Sequence, residues 1–188
     1  MATRKAECIR YTVFPVAWGW CAAADTERGL CEFVLPRVSE ADAEADILSR
    51  RPGARRDASA FGDLAAATEK YFNGWTIPFD LFPVDFSGAT SFSIRVWTLT
   101  RRIPYGQIRS YRWLALELGR PEAVRGIGAA LGANPLPLIV PCHRIVAADG
   151  QLRGFSAEGG LDTKARMLTL EGARIIGEGD RRRVAPRA

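Results

Sequence analysis

The stretch Leu138-Ile139-Val140-Pro141-Cys142-His143-Arg144-Ile145-Val146 decides how the rest of the chain is read. Its apolar opening reads as a buried strand that stops at a proline. The next two residues are a cysteine and the only histidine among 188 residues. A thiol is a useful nucleophile only as the thiolate, and an imidazole within hydrogen-bond reach, or within reach through one water, is a common acceptor for its proton. Adjacent residues on an extended strand point to opposite faces, so a direct contact between Cys142 and His143 requires a turn after Pro141; otherwise a water must bridge them. A cysteine in an apolar segment is by default a core residue. The neighbouring sequence is what argues for chemistry here.

Composition bounds the answer without deciding it. Hydrophobic residues make up 47% of the chain and charged residues 25%, the balance of an ordinary soluble globular protein with room for a small domain and a larger one. Lys and Arg (26) exceed Asp and Glu (21), a net charge of +5 that suits a polyanionic partner without requiring one. Part of that excess lies in Arg181-Arg182-Arg183, which reads as a solvated, flexible basic tail over 177–188. The four cysteines, Cys8, Cys21, Cys31 and Cys142, show no C-x-x-C pairing, so neither a metal site nor a cofactor is expected, although the first three could supply three zinc ligands. Reduced thiols in a cytoplasmic protein are the simpler account. No run of roughly 18 apolar residues offers a membrane span. Arg4-Lys5, the apolar run Tyr11–Trp20 and Cys21-Ala22-Ala23-Ala24 imitate a signal peptide, but Glu7 and Arg10 interrupt its onset and the aromatics suit strands.

In order along the chain, Ile9–Val16, Trp18–Ala24 and Leu30–Leu35 read as strands, the last two joined by a hairpin turn over Asp25–Gly29. Ser39-Glu40-Ala41-Asp42 is a capping-box start for a helix to about Arg50. A second helix runs from about Ser59 to Phe72 and closes at Asn73-Gly74, and Thr76–Phe86 offers a further strand. The first 88 residues therefore read as a small α/β scaffold with no polar constellation.

From Thr90 the pattern changes to short helices. Ser91–Thr100 carries Phe92, Val96 and Leu99 at helical spacing and ends at Ile103-Pro104-Tyr105-Gly106. Ser110 can cap a helix through Leu118, closed by Gly119, and Pro121 opens another from Glu122 to Ala133. Two helices joined by a short glycine-containing turn are the helix-turn-helix signature. Wound at about 100° per residue, the second places Val124, Ile127 and Leu131 on one side, and Arg125, Gly126, Ala129, Gly132 and Ala133 on the other. That bare face suits either close approach to a grooved partner, with Arg125 projecting, or tight packing inside the core. Ala148-Asp149-Gly150 makes a turn, Leu152–Phe155 a short returning strand, Ser156–Gly160 a flexible loop and Leu161–Leu170 an amphipathic helix. Glu171 follows at once; it reads by default as a solvated helix-end glutamate, although a carboxylate there could orient His143 in a Cys-His-acid relay.

Residues 92–173 resemble the O6-alkylguanine-DNA alkyltransferases. The match comprises Val96-Trp97, Ile103-Pro104-Tyr105-Gly106, Ser110-Tyr111, Leu114-Ala115, Arg125, Asn134-Pro135, Pro137, Val140-Pro141-Cys142-His143-Arg144, Gly154-Phe155, Gly159-Gly160-Leu161, Lys164 and Glu171-Gly172. Pro-Cys-His-Arg after an apolar run is highly specific, and Tyr71-Phe72-Asn73-Gly74 is similar to the family's usual lead-in.

The resemblance implies an α/β (α+β) fold: a ribonuclease-H-like α/β domain over 1–88 and a mostly helical, winged-helix-like alkyltransferase domain over 89–176. It implies double-stranded DNA containing alkylated bases, approached from the minor groove, as partner, a monomer with cooperative binding on DNA a further candidate, no membrane, and a cytoplasmic, nucleoid-associated location. Cys142 would take the alkyl group from O6 of guanine, with O4-alkylthymine a further candidate. His143 would remove the thiol proton through a water, Glu171 would hold His143, and Asn134 would brace the segment before Cys142. Tyr111 and Lys164 would neutralise charge on the departing base, and Arg125 would replace it in the stack. Ser93, Ser110, Arg112, Ala123 and Gly126 would accompany Tyr111 and Arg125 at the DNA, while Pro137, Val140, Ile145, Phe155 and Ser156 would line the base pocket. Three positions depart from the family's common pattern: Ser93 for glutamine or threonine, Phe155 for tyrosine, and a loop lengthened by Ala157-Glu158.

Overall fold

A computed structural model describes residues 9–185. Strands β1 (Arg10–Val16), β2 (Gly19–Thr26) and β3 (Gly29–Arg37) form an antiparallel meander, and β4 (Arg55–Arg56) joins parallel to β1, giving the order β3-β2-β1-β4. Side chains alternate across a strand, so in β2 Cys21 and Ala23 enter one cluster while Ala22 and Ala24 enter another. Helix α1 (Glu40–Arg50) covers the second face with Ala43 and Ile47, and Ser39 caps it by accepting from Asp42 N at 3.1 Å. Helix α2 (Gly62–Phe72) contributes Leu64, Tyr71 and Phe72 to the first face. Because both faces are covered, β1–β3 read as near-continuous apolar runs rather than alternating ones.

The first cluster does not stop at the sheet. It continues without a break through Val96 and Trp97 of α3 (Ser91–Arg101), Leu114 of α4 (Tyr111–Glu117), Ile127 of α5 (Val124–Gly132), the segment Leu138–Val140 and Met167 of α6 (Gly160–Leu170). Thr90 and Ser110 cap α3 and α4, accepting from Ser93 N and Trp113 N. Trp97 Nε1 donates to Ala130 O at 2.8 Å and so ties α3 to α5. Two short ladders complete the chain: β5 (Arg109–Ser110) with β6 (Ile145–Val146), and β7 (Ile175–Ile176) with β8 (Arg183–Val184).

Several expectations change. Thr76–Phe86 is not a strand but an irregular segment with one 3₁₀ turn at Phe79–Leu81. Pro78 and Pro83 have no N–H to give to a ladder, and among the described residues the segment's ladder-type pairing with the sheet is the single bridge Leu30–Val84. Leu138–Val140 is likewise a tight turn: Leu138 has φ +80° and Val140 N donates to Leu136 O at 2.7 Å. Leu152–Phe155 forms no strand; Gln151 alone bridges to Arg183. Residues 177–185 are not a free tail, since β8 pairs with β7, Arg182 O accepts from Leu152 N, and the Arg182 guanidinium pairs with Asp162. Cys21 and Cys31 enter clusters on opposite faces of the sheet and cannot share a metal ion, and no group of metal-ligating side chains occurs among the described residues. Cys8, the Arg4-Lys5 onset and residues 186–188 lie outside the described residues. β4 escaped the sequence reading because two exposed arginines carry no apolar pattern.

The first half also holds polar constellations where none was expected. Glu32, 5% exposed, pairs with Arg50 and Arg51. Asp85 is buried and accepts from Thr26 Oγ1 (2.7 Å), Ser87 N (2.9 Å) and the Arg28 guanidinium (3.0 Å), which fastens the irregular segment to the β2–β3 turn. Burial opposes its ionisation, but these donors prevail and hold its carboxyl well below the usual range. A carboxyl depressed in the folded state stabilises the fold fully above its unfolded pKa and loses that contribution as the pH falls through the folded value. Asp85→Asn should therefore lower unfolding free energy by about 1–3 kcal/mol at neutral pH, and the difference from the parent should shrink as urea titrations are repeated at progressively more acid pH; a difference that stays constant would contradict this.

Candidate active site

The turn that brings Cys142 to the surface of a cavity is built by prolines and one asparagine. Pro135, Pro137 and Pro141 deny the segment regular pairing, and Asn134 replaces the missing bonds. Its Oδ1 accepts from Leu136 N (3.0 Å) and its Nδ2 donates to Val140 O (2.9 Å) and towards Cys142 Sγ (3.4 Å). Cys142-His143-Arg144 then forms one 3₁₀ turn, so the two adjacent side chains leave the backbone in different directions.

Cys142 is 9% exposed and lies on the wall of a cavity of about 690 Å³. Tyr111, Arg112 and Arg125, Gly154, Phe155 and Ser156 line other parts of it. Burial pushes the thiol up from its ordinary value, while the Asn134 amide and the Lys164 ammonium pull it back. The resting group is therefore a protected thiol that needs a base.

An imidazole stands on the other side of the turn. His143 is fully buried, and its Nε2 lies 2.8 Å from Glu171 Oε1. Glu171 also receives Arg144 Nε (2.9 Å to Oε2), Arg144 Nη2 (2.8 Å to Oε1), Gly106 N (3.2 Å to Oε2) and Tyr71 Oη (2.9 Å to Oε1). Burial alone would raise its pKa; His143 and Arg144 more than offset this and keep the carboxyl well below its usual range. An ionised carboxylate only accepts, so the neutral imidazole must carry its proton on Nε2. That leaves Nδ1 as an acceptor, buried and without a hydrogen-bond partner among the described residues. Burial lowers the His143 pKa, which keeps it in the neutral form able to accept a proton. Gly106 has φ +71°, and a Cβ there would come within 3.1 Å of the Glu171 backbone O, so glycine relieves both strain and crowding where this N–H approaches the carboxylate.

Lys164 is fully buried on α6 and donates to Ile145 O (2.6 Å) and Arg153 O (2.8 Å). Burial brings its pKa down to about 8. Tyr111 Oη donates to the same Arg153 carbonyl at 3.1 Å, and burial, with the nearby Cys142 adding to it, pushes its pKa up to about 12. Two donors thus converge beside the cavity.

Not every expected residue arrives. Pro137 adjoins a separate 30 Å³ space that it shares with Cys142, Phe155 and Ser156, whereas Val140 and Ile145 are completely buried and line neither this space nor the larger cavity. Their apolar side chains support the turn from behind. On α5, Ile127, Ala130 and Leu131 are buried, and Arg125, Gly126, Ala129, Gly132 and Ala133 are exposed, so the bare face is not packed in the core. Val124 departs from its expected side: it is 38% exposed and reaches the cavity. Ser93 is half-buried beside its cap Thr90, Ser110 is occupied with capping α4, and Ala123 is the residue before α5. Sequence reasoning gave no role to Arg144, although it stands in the same tetrapeptide, nor to Tyr71, which lies 100 residues from its partner.

Comparison with known proteins agrees with this geometry. A model of the 6-O-methylguanine DNA methyltransferase DNA-binding domain matches residues 91–173. The methylated-DNA–protein-cysteine methyltransferase of Haemophilus influenzae is 41% identical over 119 residues, 63% of this chain and 65% of that protein, so the chain spans just under two thirds of its length. The enzyme of the same name from Shigella flexneri is 40% identical over 132 residues, 70% of this chain and 75% of the other. The crystal structure of Mycobacterium tuberculosis OGT in complex with DNA superposes with a TM-score of 0.71 at 33% identity, covering 86% of this chain and 92% of that one. Matching sequence over the site and a matching fold over both halves place the chain in the family of methylated-DNA–protein-cysteine methyltransferases.

Proposed function

We propose that this chain reverses alkylation of DNA directly, drawing an O6-alkylguanine out of the duplex into the 690 Å³ cavity and accepting its alkyl group on Cys142. The observation that carries the reading is a cavity-wall thiol beside an imidazole whose Nε2 is pinned to a carboxylate and whose Nδ1 has no partner among the described residues. Through a water, His143 Nδ1 takes the Sγ proton. The thiolate then attacks the alkyl carbon in line, the carbon–O6 bond breaks, and its electron pair leaves with the guanine. A proton or hydrogen bond from Tyr111, assisted by the Lys164 ammonium, stabilises that charge. The product thioether has no base-catalysed exit at neutral pH, so each molecule acts once.

The partner follows from α5. The target carbon is hidden in the duplex, and extruding the nucleotide costs a few kcal/mol. We read α4 and α5 as a helix-turn-helix that lays the bare face of α5 in the minor groove, where Gly126, Ala129 and Gly132 permit close backbone approach. Arg125 is exposed at the cavity rim and forms no hydrogen bond or ion pair with the described residues, which suits it to fill the gap in the stack. Ser93, Ser110, Arg112 and Ala123 would meet the flanking sugar-phosphates. Within this reading residues up to 88 form a ribonuclease-H-like unit that supports the alkyltransferase unit, and the protein acts as a monomer in the cytoplasm.

Incubation with a duplex carrying O6-methylguanine should add one methylene to the tryptic peptide holding Cys142. A folded sample that binds the duplex yet returns an unmodified peptide would reduce the chain to a lesion-binding module. Arg125→Ala should slow repair in duplex by roughly tenfold or more while leaving reaction with free O6-benzylguanine within a few-fold; equal losses on both would remove Arg125 from base extrusion. Binding to duplex should weaken linearly in log–log form with added salt as phosphate contacts release counterions, and a flat response would argue against a DNA partner.

A further inference from the structure

Tyr71 belongs to α2, in the half of the chain that reads as scaffold, yet its hydroxyl reaches the reactive centre. The residue is completely buried, and its ring packs edge-on against Phe72, Phe79 and Tyr105 at centroid distances of 5.1, 5.7 and 6.0 Å. Three rings fix its position and leave the hydroxyl one direction to point. It donates to Glu171 Oε1 at 2.9 Å, the same oxygen that accepts from His143 Nε2.

We infer that Tyr71 is a positioning residue for alkyl transfer: by donating to the oxygen that holds His143, it limits how strongly Glu171 retains the imidazole proton, and so keeps His143 a neutral acceptor for the Cys142 thiol. This rests on the reading of His143 as base. A carboxylate oxygen that is already hydrogen-bonded presents less negative charge to a second donor, so the imidazolium gains less from it. Removing the phenol hydroxyl strengthens the Glu171–His143 attraction. The imidazolium then persists to higher pH, and the acid limb of the transfer rate moves up with it.

The other groups facing His143 do not substitute for Tyr71. Arg144, on the same turn, grips both oxygens of Glu171 and opposes the imidazolium by its own charge. Lys164 on α6 also opposes it, and Cys142 precedes it in the turn. Tyr105 donates elsewhere, to Leu170 O at 2.9 Å. Burial and Glu171 keep the Tyr71 phenol well above its ordinary value, so it stays a donor throughout the working range.

The chain contains one histidine, so a nuclear magnetic resonance titration of the imidazole reports His143 with no ambiguity of assignment. In Tyr71→Phe the midpoint should rise by about half a pH unit or more, and the acid limb of the reaction with O6-benzylguanine should rise by the same amount. Phe72→Leu disturbs the same ring cluster without touching Glu171, and should lower stability while leaving the midpoint in place. An unchanged midpoint in folded Tyr71→Phe, or an equal rise in Phe72→Leu, would overturn the role. Should Tyr71→Phe not fold, replacing tyrosine by 3-fluorotyrosine makes the hydroxyl a stronger donor and should move the midpoint down; no movement would overturn it equally. The titration needs no alkyl transfer, so its failure is distinguishable from failure of the repair reading.

Discussion

One buried carboxylate organises this protein. Glu171 is 6% exposed and would be costly in such a place without partners, since a lone buried charge loses its hydration. It survives there because Arg144 meets both its oxygens, and Gly106, Tyr71 and His143 take up what is left. Removing one member of such a buried set leaves its partners uncompensated, at a cost of about 3–5 kcal/mol. The four partners come from three separate parts of the chain, so the cluster fixes the relative positions of α2, the loop before β5, the Cys142 turn and the end of α6.

The same arrangement explains why a resting cysteine can be both inert and poised. A buried thiol stays protonated and resists adventitious oxidation. In the proposed reaction it becomes a nucleophile only when its proton has somewhere to go, and Glu171, by occupying one imidazole nitrogen, leaves the other free to receive it. Lys164 adds a positive charge beside the sulfur without forming an ion pair with it, because two backbone carbonyls hold its ammonium in place. The 3₁₀ turn is what allows neighbours in sequence to take opposite parts: Cys142 faces the cavity and His143 the buried carboxylate.

The helical half and the strand half depend on each other more than their compositions suggest. A single apolar cluster runs from Phe14 and Phe33 to Ile127 and Met167, so the Cys142 turn is packed against the sheet rather than perched on a separate module. Phe33 N donates to Pro135 O at 2.8 Å, a direct backbone tie between β3 and the segment leading to the cysteine. The scaffold is therefore part of what sets the site's geometry.

The residues by themselves determined the local events: the caps at Ser39 and Ser110, the α5 face stripped of long side chains, and the adjacent pair Cys142-His143 on which the proposed chemistry rests. Each follows from contacts within a few positions, which periodicity and capping rules capture. They misjudged Leu138–Val140 and Thr76–Phe86, where apolar content suggested strands but prolines withheld the N–H groups a ladder needs. Only the tertiary structure decided that Glu171 meets His143, that Arg144 neutralises it, that Val124 turns towards the cavity, and that Tyr71 crosses 100 positions to join the cluster. Those partnerships depend on how the elements pack around one core, and no local pattern encodes the packing of a buried charge with donors from the far end of the chain.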